Sequence, residues 1–146
     1  MKHHLHPNAI AVIRGEGAAS RLRGTVRFYQ RNDGVIVEAE IIGLPKTETG
    51  FFAFHIHQGG SCAGAGFSDS GTHFNPGDRT HPKHAGDLPP LLGDHGLAYM
   101  KVFTDRFYIG EIIGRTVVIH SDPDDFRTQP AGNAGTKIAC GVIRRA

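Results

Sequence analysis

Short segments in which apolar and polar residues alternate are the feature that most constrains the fold of this chain. In residues 35–41 every second side chain is apolar, and in residues 25–31 Val26 and Phe28 fall on one face. Alternation with a period of two predicts strands with one buried face. The Asn-Asp-Gly turn at residues 32–34 predicts that these two segments form a β-hairpin. The 20 glycines and 8 prolines punctuate similar segments throughout, which is typical of a mostly antiparallel β protein.

The pattern predicts about eight strands, a number that suits a sandwich or a barrel. The predicted strands are residues 9–14, 25–31, 35–41, 51–58, 96–104, 107–113, 115–120 and 137–144. Two stretches, residues 59–94 and 121–136, lack the alternation and are irregular. Loops of this length in a compact domain are usually functional or disordered, and function is favoured here because both loops border histidine-bearing strands. The predicted fold class is therefore all-β, an eight-stranded barrel or sandwich with two long functional loops.

Length and composition indicate one soluble domain. A chain of 146 residues supports a single core, which we expect to span residues 9–146, after a flexible tail over residues 1–8 with His3, His4 and His6. The net charge of +2 argues against nucleic acid as a partner. No segment has the length of a membrane span, and the N-terminus lacks the apolar stretch of a secretory signal. The sequence as written predicts a cytoplasmic protein, or a periplasmic or extracellular one if it is a mature form.

Three histidines lie on two of the predicted strands. In residues 51–58 the apolar side chains alternate with His55 and His57, so both imidazoles point away from the core. His120 ends residues 115–120 with the same orientation. Imidazoles two residues apart on one strand can converge on one ion. The alternative interpretation is that all three are polar residues on a solvated face.

The first long loop carries three more histidines and an aspartate. These residues are His73, His81, His84 and Asp87. Three imidazoles and one carboxylate suit a tetrahedral zinc ion, and a set without an open position is structural rather than hydrolytic. The all-nitrogen set on the strands suits Cu(II) instead, and one histidine could serve both ions through its two ring nitrogens. The alternative interpretation is a hydrophilic loop.

Two cysteines, Cys62 and Cys140, are far apart and do not form a Cys-x-x-Cys motif. They form either one disulfide, closing a loop of about 80 residues, or two free thiols. A reducing cytosol would work against the bond.

Several short motifs together resemble the copper/zinc superoxide dismutases over residues 9–144. The matching pieces are Phe54-His55-Ile56-His57, His73-Phe74-Asn75-Pro76, His84-Ala85-Gly86-Asp87-Leu88, Gly114-Arg115-Thr116-Val117-Val118-Ile119-His120, and Gly132-Asn133-Ala134-Gly135 followed by Ala139-Cys140-Gly141-Val142-Ile143. Each piece is short, but their order and spacing are highly specific.

The resemblance implies a Greek-key barrel that converts superoxide to dioxygen and hydrogen peroxide by redox cycling of copper beside a structural zinc. The copper ligands it implies are His55, His57, His73 and His120. The zinc ligands it implies are His73, His81, His84 and Asp87. His73 would bridge the two ions and take up a proton during the reaction. Asp124 would accept hydrogen bonds from one histidine of each ion, and Cys62 and Cys140 would form the family's disulfide.

The first departure from the family is Lys137, at a position where the family usually has an arginine that orients the anion. An ammonium keeps the charge but loses the planar fork, which predicts a reduced but measurable rate that Lys137→Arg should raise.

The loops also depart from the family in length. Only Pro82 and Lys83 separate His81 from His84, which is fewer residues than the family commonly has. The segment from His57 to Cys62 is short as well. That segment often supplies dimer contacts, so a homodimer stays an open prediction.

Other interpretations of the sequence remain. Met1-Lys2-His3 could form a square-planar nitrogen site for Cu(II), or belong to a disordered tail. The main rival function is a non-catalytic or weakly active copper- and zinc-binding protein on the same fold. A hydrolytic zinc enzyme would need an open zinc position, and the glycine segments lack the Lys-Ser/Thr of a phosphate loop.

Overall fold

The computed structural model describes residues 6–146, and these fold into eight strands and one short α-helix. The strands are β1 (Ala9–Gly15), β2 (Arg23–Arg31), β3 (Gly34–Ile42), β4 (Phe51–His57), β5 (Asp87–Leu92), β6 (Ala98–Thr104), β7 (Thr116–His120) and β8 (Lys137–Arg145), and the helix α1 (Ile109–Ile112) lies between β6 and β7. The predicted all-β class is confirmed.

All neighbouring strands pair antiparallel, in the order β5-β4-β7-β8-β1-β2-β3-β6. The first and last strands of this order, β5 and β6, follow one another in the chain and also contact each other. The sheet therefore nearly closes into a barrel. Crossovers from β3 to β4 and from β6 to β7 make non-consecutive strands neighbours, which confirms the expected Greek-key barrel.

The core fills the inside of the barrel with the apolar residues of each strand's inner face. In the hairpin of β2 and β3, the inward residues Val26, Phe28, Val35 and Val37 are fully buried. In β4 the residues that alternate with the histidines do the same, because Phe52, Phe54 and Ile56 are at most 1% exposed. The orientation inferred from alternation is thus correct for these strands, and it leaves the histidines of β4 on the outer face.

The predicted strand at residues 107–113 is wrong, because this segment contains the helix α1 instead. Ile109 and Ile112 lie three residues apart, so one helical turn buries both against the barrel. Glu111 stabilises the start of the turn, since its carboxylate accepts a hydrogen bond from the N–H of Tyr108 at 2.9 Å. An apolar pattern this short is compatible with the period of a strand and with that of a helix.

The strand β5 (Asp87–Leu92) lies inside the stretch 59–94, which we expected to be irregular throughout. Its two consecutive prolines, Pro89 and Pro90, argue against a strand in a sequence pattern. The sheet tolerates them because β5 is at the end of the strand order and hydrogen-bonds only to β4. The pairing places Asp87 directly opposite His55.

The predicted tail is only partly covered by the structure. Residues 1–5, and with them the Met1-Lys2-His3 site and His4, lie outside the described residues, whereas His6 is described and exposed. Asn8 is bound to β2 through its N–H to the Phe28 carbonyl at 2.8 Å. The division into a tail and a domain stays a prediction. Within residues 6–146, none of the helices is long and apolar enough to cross a membrane.

Candidate metal centre

The outer face of β4 carries His55 and His57 between β5 and β7. His55 lies opposite Asp87 of β5 and Val118 of β7, and His120 ends β7 on the same side. The two long loops cover this face, so His55 is 0%, His57 2% and His120 4% exposed. The alternative of polar residues on a solvated face is therefore wrong.

The first loop reaches the site because it lies along β4 in an extended conformation. His73 forms an antiparallel bridge with His57, and the N–H of Phe74 donates to the Ile56 carbonyl at 2.8 Å. The N–H of Ile56 in turn donates to the carbonyl of Gly86 at 2.8 Å. A Cβ at Gly86 would overlap the Ile56 carbonyl oxygen, so the close approach of the two segments requires glycine here.

A first group of four imidazoles converges on one point. It consists of His55, His57, His73 and His120, each of which offers one ring nitrogen within 4.8 Å of the others. The Nε2 atoms of His57 and His120 are 3.2 Å apart. His57 Nδ1–H donates to the Gly71 carbonyl at 2.8 Å, so its Nε2 presents a lone pair to the group.

A second group surrounds the carboxylate of Asp87. The Nδ1 atom of His73 lies 2.8 Å from Asp87 Oδ1, and the Nδ1 atoms of His81 and His84 lie 3.1 Å and 3.2 Å from Asp87 Oδ2. The Nδ1 atoms of His73 and His84 are 3.1 Å apart. The short turn between His81 and His84 therefore still brings both rings to the same carboxylate.

The ring of His55 also lies close to the second group. One ligand atom each of His55, His73, His81 and Asp87 lie within 4.8 Å of one another. We assign His84 to this group, because its Nδ1 contacts Asp87 while the Nε2 of His55 is already bound to Asp124.

Asp124 joins the two groups from the second loop. Its Oδ2 accepts the Nε2–H of His55 at 2.8 Å, and its Oδ1 accepts the Nε2–H of His81 at 2.7 Å. Its side chain is 1% exposed. An ionised carboxylate can only accept hydrogen bonds. Both rings therefore carry their hydrogen on Nε2 and present a lone pair at Nδ1.

The unpaired nitrogen atoms show that these residues fit metal ions. His55 Nδ1 and His73 Nε2 are buried and have no hydrogen-bond partner, which is costly unless another group binds them. His81 Nδ1 is also unsatisfied, because its contact with Asp87 does not have hydrogen-bond geometry. An all-imidazole group suits copper, and three imidazoles with one carboxylate suit zinc.

Burial keeps the imidazoles of His57 and His120 neutral, and hydrogen bonds keep the carboxylate of Asp124 charged. Burial lowers the pKa of His57 to about 2 and that of His120 to about 3. Burial alone would raise the pKa of Asp124, but the hydrogen bonds from His55 and His81 outweigh it and lower the value to about 2. Neutral imidazole and ionised carboxylate are the forms that bind metals.

Lys137 lies beside the first group, opposite His120 where β8 begins. Its ammonium donates to Ser70 Oγ at 2.8 Å and to the Gly71 carbonyl at 2.7 Å. Burial lowers the pKa of Lys137. Together with His57, His73 and His120 it lines an open cavity of about 460 Å³.

A disulfide joins Cys62 to Cys140, with the two Cα atoms 5.8 Å apart. It attaches the segment that follows β4 to β8, three residues after Lys137. Of the two interpretations left open by the sequence, the bridged one is therefore correct.

Two groups that support the site escaped the sequence patterns. Ser70 is fully buried and donates to the Phe67 carbonyl at 2.7 Å while it accepts from Lys137. The carbonyl of Gly71 accepts from both His57 and Lys137. A lone serine and a main-chain oxygen belong to no motif, so only coordinates reveal them.

Comparisons with known proteins agree with this geometry. Residues 22–143 match the family model described as copper/zinc superoxide dismutase. Superoxide dismutase (Cu-Zn) 2 of Aquifex aeolicus is 37% identical in an alignment of 136 positions, and the alignment covers 83% of this chain and 78% of that protein. Superoxide dismutase (Cu-Zn) A of Xenopus laevis is 39% identical in an alignment of 151 positions, and the alignment covers 92% of this chain and 95% of that protein.

A Greek-key barrel with two adjoining groups of buried imidazoles on its outer face defines a metal-binding protein. The chain belongs to the copper/zinc superoxide dismutase family. The resemblance found in the sequence is thereby confirmed, and with it the expectation of an oxidoreductase that acts on superoxide with copper and zinc as cofactors.

Proposed function

We propose that this chain disproportionates superoxide at a dinuclear centre whose two ions share the ring of His73. In this reaction two superoxide ions and two protons give one dioxygen and one hydrogen peroxide. The observation that carries the proposal is the position of His73 between the two groups. Its Nδ1 faces Asp87 at 2.8 Å, and its Nε2, on the other side of the ring, is buried and unpaired.

The proposed ligand sets follow the two groups. Copper is assigned to His55, His57, His73 and His120. Zinc is assigned to His73, His81, His84 and Asp87. The chemistry that copper supplies when bound is reversible one-electron transfer, which zinc lacks. The zinc set is complete without solvent, which supports a structural role.

Lys137 is proposed to attract and orient the superoxide anion. A lysine ammonium has three N–H donors, and two of them are bound to Ser70 and Gly71. The third is left for an anion in the cavity that Lys137 lines with His57 and His120. A single donor orients the anion less strictly than a guanidinium fork, in line with the predicted reduction in rate.

His73 is proposed to move one of the two protons. Its Nε2 takes up a proton in one half of the cycle and delivers it to the reduced substrate in the other half, while Nδ1 stays on the side of Asp87. Because His73 is 6% exposed, proton exchange has to pass through the cavity that this ring lines.

Reconstitution tests the proposal against a non-catalytic metal-binding protein. The chain loaded with copper and zinc is compared with its metal-free form by stopped-flow measurement of superoxide decay. We expect the loaded form to be much faster, whereas equal rates would support the rival. His120→Ala should lose copper and activity but keep zinc, and His84→Ala should lose zinc first. Metal analysis that shows the opposite pattern would contradict the ligand assignment.

Assembly and compartment are the remaining parts of the proposal. The disulfide between Cys62 and Cys140 is of a kind that persists in oxidising surroundings, which favours the periplasmic or extracellular alternative over the cytoplasmic one. A homodimer stays a prediction that sedimentation of the loaded protein would test.

A further inference from the structure

The turn that carries His81 and His84 is too short to satisfy its own backbone. The N–H of Lys83 donates to the Thr80 carbonyl at 2.8 Å, and the N–H of His84 donates to Asp87 Oδ2 at 2.9 Å. The backbone N–H and carbonyl of His81 and the carbonyl of Pro82 have no partner within the turn, and side chains from other parts of the chain bind them instead.

Gln129, in the second long loop, pairs with both backbone groups of His81. Its Oε1 accepts the His81 N–H at 2.8 Å, and its Nε2 donates to the His81 carbonyl at 2.7 Å. The Nε2–H of the His81 ring donates to Asp124 in the same loop. Backbone and ring of His81 are thus fixed by two residues that lie more than 40 positions away.

Arg106, in the segment between β6 and α1, holds the other side of the turn. Its Nη1 atom donates to the carbonyl of Pro82 at 2.8 Å and to that of His84 at 3.1 Å. Both bonds are charge-assisted, which makes them stronger than bonds between neutral groups. One guanidinium nitrogen therefore links the carbonyls of Pro82 and His84.

We propose that Gln129 and Arg106 are positioning residues for zinc. They hold the backbone of the short turn so that the Nδ1 atoms of His81 and His84 meet at Asp87, a role that additional loop residues could otherwise fill. The inference rests on the proposed zinc assignment. Neither side chain touches a ligand atom, so each acts on the metal only through the main chain of the ligands.

Zinc retention by the loaded full-length protein tests the inference. Gln129→Met keeps the length of the side chain but removes both amide bonds to His81, and Arg106→Gln removes the charged donor. Each variant is exposed to increasing chelator, and bound zinc and copper are measured by mass spectrometry. Loss of groups that support metal ligands weakens metal binding about 10- to 100-fold. We expect zinc to be released at correspondingly lower chelator concentrations, with a far smaller change for copper.

Matched variants separate positioning from charge and from general instability. Lys83→Gln removes a positive charge from the same turn but no bond to its carbonyls, so it should retain zinc like the wild type. Arg106→Lys restores a charged donor and should recover part of the loss. Both Gln129 and Arg106 are exposed positions, so either variant alone decides the matter if the other fails to fold.

The outcome also distinguishes this inference from the zinc assignment. If His84→Ala keeps its zinc, the assignment itself is wrong. If His84→Ala loses zinc while Gln129→Met and Arg106→Gln retain it like the wild type, the positioning role is overturned.

Discussion

Replacement of Asp124 by asparagine tests whether one carboxylate orients a histidine in each metal group. In the native protein its two oxygens accept N–H groups from His55 at 2.8 Å and from His81 at 2.7 Å. Asparagine has one acceptor oxygen, and its amide nitrogen would face the second ring. That ring keeps a hydrogen bond only if its proton moves from Nε2 to Nδ1, which is the atom proposed to bind the metal.

The expected loss of metal affinity follows from the burial of the hydrogen bonds that Asp124 accepts. A hydrogen bond to a charged group contributes about 1.5–3 kcal/mol, and the 1% exposure of the Asp124 side chain means that water cannot replace it. At about 1.4 kcal/mol for each tenfold change, this is roughly a 10- to 100-fold loss of affinity for one metal. The same range is typical of groups that orient metal-binding histidines.

The assay is metal retention against a chelator, with bound copper and zinc measured separately. We expect Asp124→Asn to release at least one metal at the lower chelator concentrations that this loss implies. Asp122→Asn is the matched control, because it makes the same charge change at an exposed position two residues away. If both metals stay as firmly bound as in the wild type, the reasoning from proton placement is refuted.

Three further predictions concern the anion site and the disulfide. Lys137→Arg should raise kcat/KM and extend activity to higher pH. Burial lowers the pKa of Lys137 from 10.5, whereas a guanidinium stays charged. An unchanged pH profile would exclude a role of the Lys137 charge in activity. Ser70→Ala should raise KM by about fivefold through loss of one bond to the ammonium, whereas the exposed Ser68→Ala should not. Reduction of Cys62–Cys140, 78 positions apart, should lower the free energy of unfolding of the metal-free protein by about 4–5 kcal/mol in urea titrations, and a change below about 1 kcal/mol would contradict the loop-closure argument.

The strand histidines could be placed from the sequence because alternation is a local signal. Two residues apart on β4, His55 and His57 must share a face, and the apolar residues that alternate with them show which face is turned towards the core. The loop ligands His73 and His81 carry no such signal, since nothing local says where an irregular segment will run. Their grouping was predicted from residue chemistry and from the family motifs.

What the sequence could not predict arises from contacts over long separations and from local patterns with two solutions. Gln129 and Arg106 meet the turn across 48 and 24 positions, respectively, through main-chain atoms that every residue possesses. The strand β5 was not predicted because its two prolines lack the N–H groups that a central strand needs. They are compatible with a strand only because β5 lies at the end of the strand order. The short apolar pattern of residues 107–113 is compatible with a strand or a helical turn. The segment forms the turn because Ile109 and Ile112 then both pack against the barrel.

The main-chain oxygen of Gly71 gives the ammonium of Lys137 and the ring of His57 a common hydrogen-bond acceptor. His57 and Lys137 both donate to it, at 2.8 Å and 2.7 Å. Gly71 has a φ of 69°, a region that L side chains rarely adopt, so the direction of this oxygen depends on glycine. A displacement of this segment would therefore move the ring and the ammonium together, which would preserve the distance between the proposed anion site and the proposed copper group.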